Sequence, residues 1–116
     1  NTSLYRQIVA RRILVEANLR YLAKHRNELK QKFPTFEDFR RKYEVPNEVI
    51  DNILAEAKKA LKDKYPKDEE KKTTELLKRM LRALAARDLW DMNEYFAIIY
   101  EDDDIVNKAI QLMEEQ

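Results

Sequence analysis

Peptide hydrolysis, phosphate handling and metal binding each need particular side chains brought close together, and this chain is sparing with all of them. Serine occurs once, at Ser3, and histidine once, at His25, so a serine and histidine pair would draw its nucleophile from the frayed start of the chain. His25 has no second histidine beside it and lies late in a helical stretch, where a solvent-facing or dipole-favoured imidazole is the expected role. Cysteine is absent, which removes disulfide frameworks, thiolate metal sites and cysteine nucleophiles together. Glycine is absent too, and loops that cradle phosphates or bring backbone close to a ligand favour it.

The charged residues fare no better as chemistry. Asp102, Asp103 and Asp104 suggest calcium, but an EF-hand loop alternates its oxygen ligands, turns on a glycine and closes with a glutamate at position twelve. Capping a helix is the role they fit. The other Asp and Glu residues fall at caps or on polar helix faces, so no acid/base pair emerges. Arg11 with Arg12, the row Lys24, Arg26, Lys30 and Lys32, and the triplet Arg40, Arg41, Lys42 could touch phosphates. Glu16, Glu28, Glu37, Asp38 and Glu44 interrupt any basic stripe, and the pI is only about 8.1, so no nucleic-acid partner is expected. Phe36, Phe39 and Tyr43 share one side of a short helix and read as a core plug rather than a base-stacking platform. No metal and no cofactor is expected.

What must position these side chains is a set of helices in one domain, residues 1–116. A chain of 116 residues buries roughly two thirds of its unfolded surface without disulfides. No run approaches the roughly 18 apolar residues of a membrane span, and no basic-then-apolar leader opens the chain. It also begins without Met, which suggests a C-terminal piece of a longer protein. The formal net charge of +1 hides an asymmetry: residues 1–64 hold 15 Lys/Arg against 9 Asp/Glu, and residues 65–116 hold 8 against 13. After Arg87 nine acidic residues face only Lys108, so either this tail packs near the basic first helix or the two halves are differently solvated faces.

Ser3 to about Lys32 carries Leu4, Ile8, Val15, Leu19, Leu22, Leu29 and Phe33 at helical steps, widened by Val9, Ile13 and Ala17. Thirty helical residues span on the order of 45 Å, so this helix either breaks or reaches beyond the domain. Pro34 ends it, and Thr35 caps a short helix to about Lys42. Pro46 opens a helix to about Asp63, with Val49, Ile50, Ile53, Leu54, Ala57 and Leu61 inward. Lys62–Lys72 is the most polar stretch and is expected as a mobile loop. Asp68 or Thr73 then caps the helix containing Leu77, Met80, Leu81 and Leu84, which with Trp90 marks the expected centre of the core. Asp91 and Glu94 have capping-box spacing ahead of Tyr95–Tyr100. Asp103 or Asp104 caps a last helix with Ile105, Val106, Ala109, Ile110 and Met113 inward. The expected fold is all-α, an orthogonal or irregular bundle of about five to six helices with a long first helix.

From Phe36 onward the chain resembles the C-terminal helical region of bacterial carboxy-terminal processing peptidases, also called tail-specific proteases. The matching residues are Phe36-Glu-Asp-Phe39, Tyr43-Glu-Val45-Pro46, Leu84-Ala-Ala-Arg87-Asp-Leu89-Trp90, Tyr95-Phe96 and Asp104-Ile-Val-Asn-Lys108-Ala109. The first helix fits as the exit from a catalytic core. The resemblance implies a non-catalytic accessory domain of a secreted or envelope serine endopeptidase, in the periplasm or cell envelope. Its partners would be the PDZ region and catalytic core of the parent protease, and possible self-association. The family's catalytic serine and lysine have no counterpart here, and Ser3 lacks the surrounding motif. The expected contact surface is Leu4, Tyr5, Ile8 and Val9 with Arg11 and Arg12, on a first helix long enough to leave the domain. A free-standing helical adaptor is the alternative, with a weak nucleic-acid module a distant third.

One outcome follows from these residues. The purified chain, incubated with an unstructured protein substrate, should leave it intact; cleavage that co-purifies with the chain would contradict it.

Overall fold

The computed structural model describes residues 1–101 and 112–113. Among these the chain forms six α-helices and no strand, so the expected all-α bundle is the observed fold. The helices are α1 (Ser3–Ala10), α2 (Ile13–Lys32), α3 (Phe36–Lys42), α4 (Asn47–Leu61), α5 (Glu70–Leu89) and α6 (Met92–Tyr100), with 3-10 turns at Lys62–Lys64 and Lys67–Glu69. The last expected helix, capped by Asp103 or Asp104, lies outside the described residues apart from Leu112 and Met113. Met113 was expected inward, and it is exposed.

The long first helix divides. Arg11 closes α1, its N–H donating to Gln7 O at 3.0 Å, and Arg12 takes a left-handed conformation (φ 64°, ψ 15°) with its N–H on Val9 O at 3.0 Å. Straight continuation would have carried Leu4 and Ile8 out of the domain. The turn folds α1 back against α2, α4 and α5, and both side chains end with no exposed surface. A left-handed residue with a Cβ costs roughly 1–2 kcal/mol, which burying two large aliphatic side chains, at about 1.5–3 kcal/mol each, offsets.

The core gathers on α5. Leu77, Leu81, Leu84 and Leu89 are buried on it, and Ala83, Ala85 and Ala86 are buried beside them. Small side chains there let neighbouring helices approach closely. The expected α4 stripe holds for Ile50, Ile53, Leu54 and Ala57, while Val49 and Leu61 are half-buried. Leu19 departs from expectation: it is 54 % exposed, because Leu14, Ala17, Asn18 and Leu22 are the residues that α2 buries around it. Trp90 also departs, being half-buried. The deepest aromatic is Phe39, fully buried, with Tyr43 stacked on it at 4.5 Å and Trp90 edge-on at 5.4 Å.

Caps form where short polar side chains precede helices. Thr2 Oγ1 accepts from Tyr5 N–H at 3.0 Å, and Thr35 Oγ1 from Asp38 N–H at 3.1 Å. Asp91 Oδ1 accepts from Met92 N–H at 2.7 Å, but among the described residues Glu94 does not complete the capping box. Neither Asp68 nor Thr73 caps α5. Thr73 lies inside the helix, fully buried, with its hydroxyl 2.6 Å from that of Thr2. The expected loop Lys62–Lys72 is instead two 3-10 turns and the first turn of α5. Tyr65 fastens it by donating to Glu70 Oε2 at 2.7 Å, and burial first, then this bond, pushes the Tyr65 phenol well above its ordinary pKa.

Lys62 ends α4 at φ 54°, ψ −124°, a region open mainly to glycine. Such a residue stores roughly 1–3 kcal/mol. Lys62→Gly should therefore stabilise the chain by about 1 kcal/mol, the strain released less the added freedom of the unfolded chain. Thermal melting checks this, with a rise of roughly 4–8 °C expected; a lower melting temperature would show that Lys62 is not strained.

Candidate interaction surfaces

The six residues expected to form a contact surface separate in the structure. Leu4 and Ile8 are buried in this chain's own core and are not available to a partner, which corrects the expectation; the turn at Arg12 is the reason. Tyr5 is half-buried against that core, while Val9, Arg11 and Arg12 are exposed. Arg11 donates to Gln7 Oε1 at 3.2 Å and Arg12 lies 4.0 Å from Glu16, both contacts within the surface.

The start of α1 is held from the far side of the sequence. Glu69 Oε1 accepts from Leu4 N–H at 2.9 Å and from the Ser3 hydroxyl at 2.8 Å, so a carboxylate sits on the first turn of α1, where the helix dipole favours it. The Leu4 N–H bond, then that of Ser3, holds the Glu69 carboxyl below its ordinary pKa. Ser3 is therefore a structural donor in this arrangement.

The segment Leu84–Trp90, the most distinctive in the sequence, is a junction. Asn18, itself buried, donates to Asp88 Oδ2 at 3.0 Å, and Arg87 reaches Asp88 Oδ1 at 2.9 Å. Arg26 donates to Asp88 O at 2.6 Å and Lys30 to Leu89 O at 3.1 Å. Both cations thus meet carbonyls left open at the end of α5, the partly negative pole of that helix. Lys30 also lies 4.4 Å from the centre of the Trp90 ring. Of the acidic tail expected near the first helix, Asp88 meets Asn18 of α2 and Glu101 pairs with Arg82 of α5, while Asp102, Asp103, Asp104, Glu114 and Glu115 lie outside the described residues. Arg26 and Lys30 take main-chain oxygens.

Three surface features remain. Met92, Phe96 and Tyr100, spaced by four along α6, are each 43–44 % exposed, and the Phe96 and Tyr100 rings stack at 5.8 Å. One open groove of about 560 Å³ runs between α2 and the start of α4, walled by Tyr21 and Val49. His25 stands in it, its ring 4.6 Å from that of Tyr21 and its Nδ1 3.4 Å from Glu28. A second groove of about 430 Å³ lies between α3 and α5, bordered by Arg40, Arg41, Lys78 and Arg82 over Tyr43. Burial pushes the Tyr43 phenol well up. The expected basic triplet thus splits, with Arg40 and Arg41 at the groove and Lys42 not lining it. That Met92, Phe96 and Tyr100 share one face was legible in their spacing of four, but their apolar types point inward and their exposure was not legible.

Among the described residues, no three His, Asp or Glu gather as a metal site, and no helix is long and apolar enough to cross a membrane. Fold and surface together define an all-α helical domain whose open features are grooves and an apolar helix face. Residues 4–91 match the family of unknown function DUF8443, and the chain belongs to that family. No curated protein and no solved structure matches the chain. The matched range runs from α1 through the Trp90 junction and stops before α6.

Because the folded pKa of Glu69 is depressed, its contribution is present above the unfolded pKa and fades as pH falls through the folded one. Glu69→Gln should flatten the fall in melting temperature between pH 6 and pH 3. Melting curves at the two pH values check it, and parallel curves for both proteins would contradict the role of the carboxylate.

Proposed function

We propose that this chain is the non-catalytic C-terminal accessory domain of a carboxy-terminal processing serine endopeptidase, acting in the periplasm or cell envelope. It packs on the PDZ region and catalytic core of that protease and contributes to subunit association. One observation carries the reading. Phe36 and Phe39, from one of the matching pieces, stand edge-on to Trp90 of another at 5.7 and 5.4 Å, so pieces some fifty residues apart meet as one structural unit. Tyr43, from a third piece, stacks on Phe39 within the same cluster.

The surface that would face the protease is the outer side of α6. Met92, Phe96 and Tyr100 expose apolar area along one line, and aromatic and methionine side chains are the types enriched at the centre of protein interfaces. This replaces the buried half of the α1 surface as the contact. Val9, Arg11 and Arg12 remain open as a second, smaller patch.

Two measurements test the proposal. The reading frame upstream of Asn1 should encode a PDZ region and a peptidase core with its serine and lysine; a start codon immediately before Asn1 would favour the free-standing adaptor instead. In the intact polypeptide, Phe96→Asp should leave the melting temperature of the isolated domain within about 2 °C, since the side chain is exposed. The same variant should speed proteolytic release of the domain several-fold. Release at the rate of the unmodified protein would count against α6 as the packing face.

A further inference from the structure

We propose that the groove between the C-terminal half of α3 and the middle of α5 is a binding site for an acidic peptide segment of a protein partner. This inference stands apart from the protease assignment and holds or fails without it. Arg40 and Arg41 border the groove from α3, Lys78 and Arg82 from α5, and a single carboxylate, Glu44, shares the lining. Two of the four cations are already engaged. Arg40 forms a two-pronged contact with Glu37, Nη2 to Oε1 at 2.7 Å and Nε to Oε2 at 3.2 Å. Arg82 pairs with Glu101 and also donates to the main-chain oxygen of Arg40.

That second bond matters for the site. It fixes the end of α3 against α5, so the two cationic borders are held at a set separation rather than meeting by chance. Arg82 is largely shielded, its side chain 19 % exposed, and it serves as a rigid post. Arg41 and Lys78 then remain as cations with no ion pair within 4.0 Å among the described residues, Glu37 lying near enough to Arg41 to feel its charge while bonded to Arg40. A lone surface lysine needs no partner, because water solvates it. Arg41 and Lys78 share one concave surface with a protein floor, whose low-dielectric walls focus the positive excess they leave over Glu44 into the cleft. Tyr43 and Val45, nearly buried, form that floor.

The charge pattern also selects among anions. Glu37, Glu44 and Glu101 stand around the cations, so no continuous basic track exists for the regularly spaced phosphates of a nucleic acid. A short run of Asp or Glu side chains can reach Arg41 and Lys78 in turn, and the guanidinium fork suits a carboxylate.

Titration of the 116-residue chain with acetylated hexaglutamate at low ionic strength, followed by amide chemical shifts and calorimetry, tests the site. Shifts should centre on Arg41, Asn47 and Lys78. The double variant Arg41→Glu/Lys78→Glu should weaken binding at least tenfold. A control with the same charge change at exposed positions elsewhere, Lys59→Glu/Lys71→Glu, should stay within about twofold. Equal losses in the two variants, no binding up to millimolar peptide, or tighter binding of a single-stranded oligonucleotide of equal charge would each overturn the proposal. Circular dichroism of both variants establishes that they are folded before the comparison is drawn.

Discussion

Everything in this fold depends on giving Phe39 a dry place to sit. It is fully buried, and its ring is met by Phe33 at 6.0 Å, Phe36 at 6.4 Å, Tyr43 at 4.5 Å and Trp90 at 5.4 Å. These five aromatics come from the end of α2, from α3 and its exit, and from the end of α5. One seven-residue helix, too short to be stable alone, is therefore held by aromatic burial, and it in turn sets how α2 and α5 close at that end. Edge-on and offset contacts of this kind add roughly 0.5–1.5 kcal/mol each beyond the area they bury. Lys30 covers the open face of Trp90, which explains how a half-buried tryptophan completes the cluster.

The opposite end of α5 is closed by polar contacts instead. Thr2 meets Thr73, and Glu69 meets the first turn of α1. A buried hydroxyl is tolerated only with a partner, and here the two threonines satisfy one another. α5 is thus a pillar with an aromatic closure at its C-terminal end and a hydrogen-bonded one at its N-terminal end. Arg26 and Lys30 of α2 are spent on the terminal carbonyls of α5, while Arg20 pairs with Glu56.

Much of this was legible from residue types. The helices of α3 and α4, the core role of Leu77, Leu81 and Leu84, and the Thr35 cap follow from spacing and short polar side chains, and the structure has them. The break at Arg12 was half legible: a helix of that length could not fit, but no glycine marked the turn. An arginine in a left-handed conformation leaves no trace in composition. Thr73 misled because threonine before a helical run suggests a cap, whereas a partner 71 residues away claimed its hydroxyl. Leu4 and Ile8 were placed on the expected contact surface for a related reason. Leu4 and Ile8 looked like surplus apolar residues only while α1 and α2 were counted as one rod. The basic groove was invisible, since Arg41 and Lys78 are neighbours only once α3 lies on α5.

The Thr2 to Thr73 contact has a consequence for how the chain is made. Ribosomes add roughly 5–20 residues per second, so Thr2 emerges about 4–14 s before the residue that will receive it 71 positions later. Through that interval Leu4 and Ile8 have no α5 to lie against. The nascent chain therefore carries an unpaired apolar turn while α2, α3 and α4 form after it. Arg6 within this turn and Arg11 and Arg12 after it, all exposed in the finished fold, are the charges nearest the two side chains through that interval.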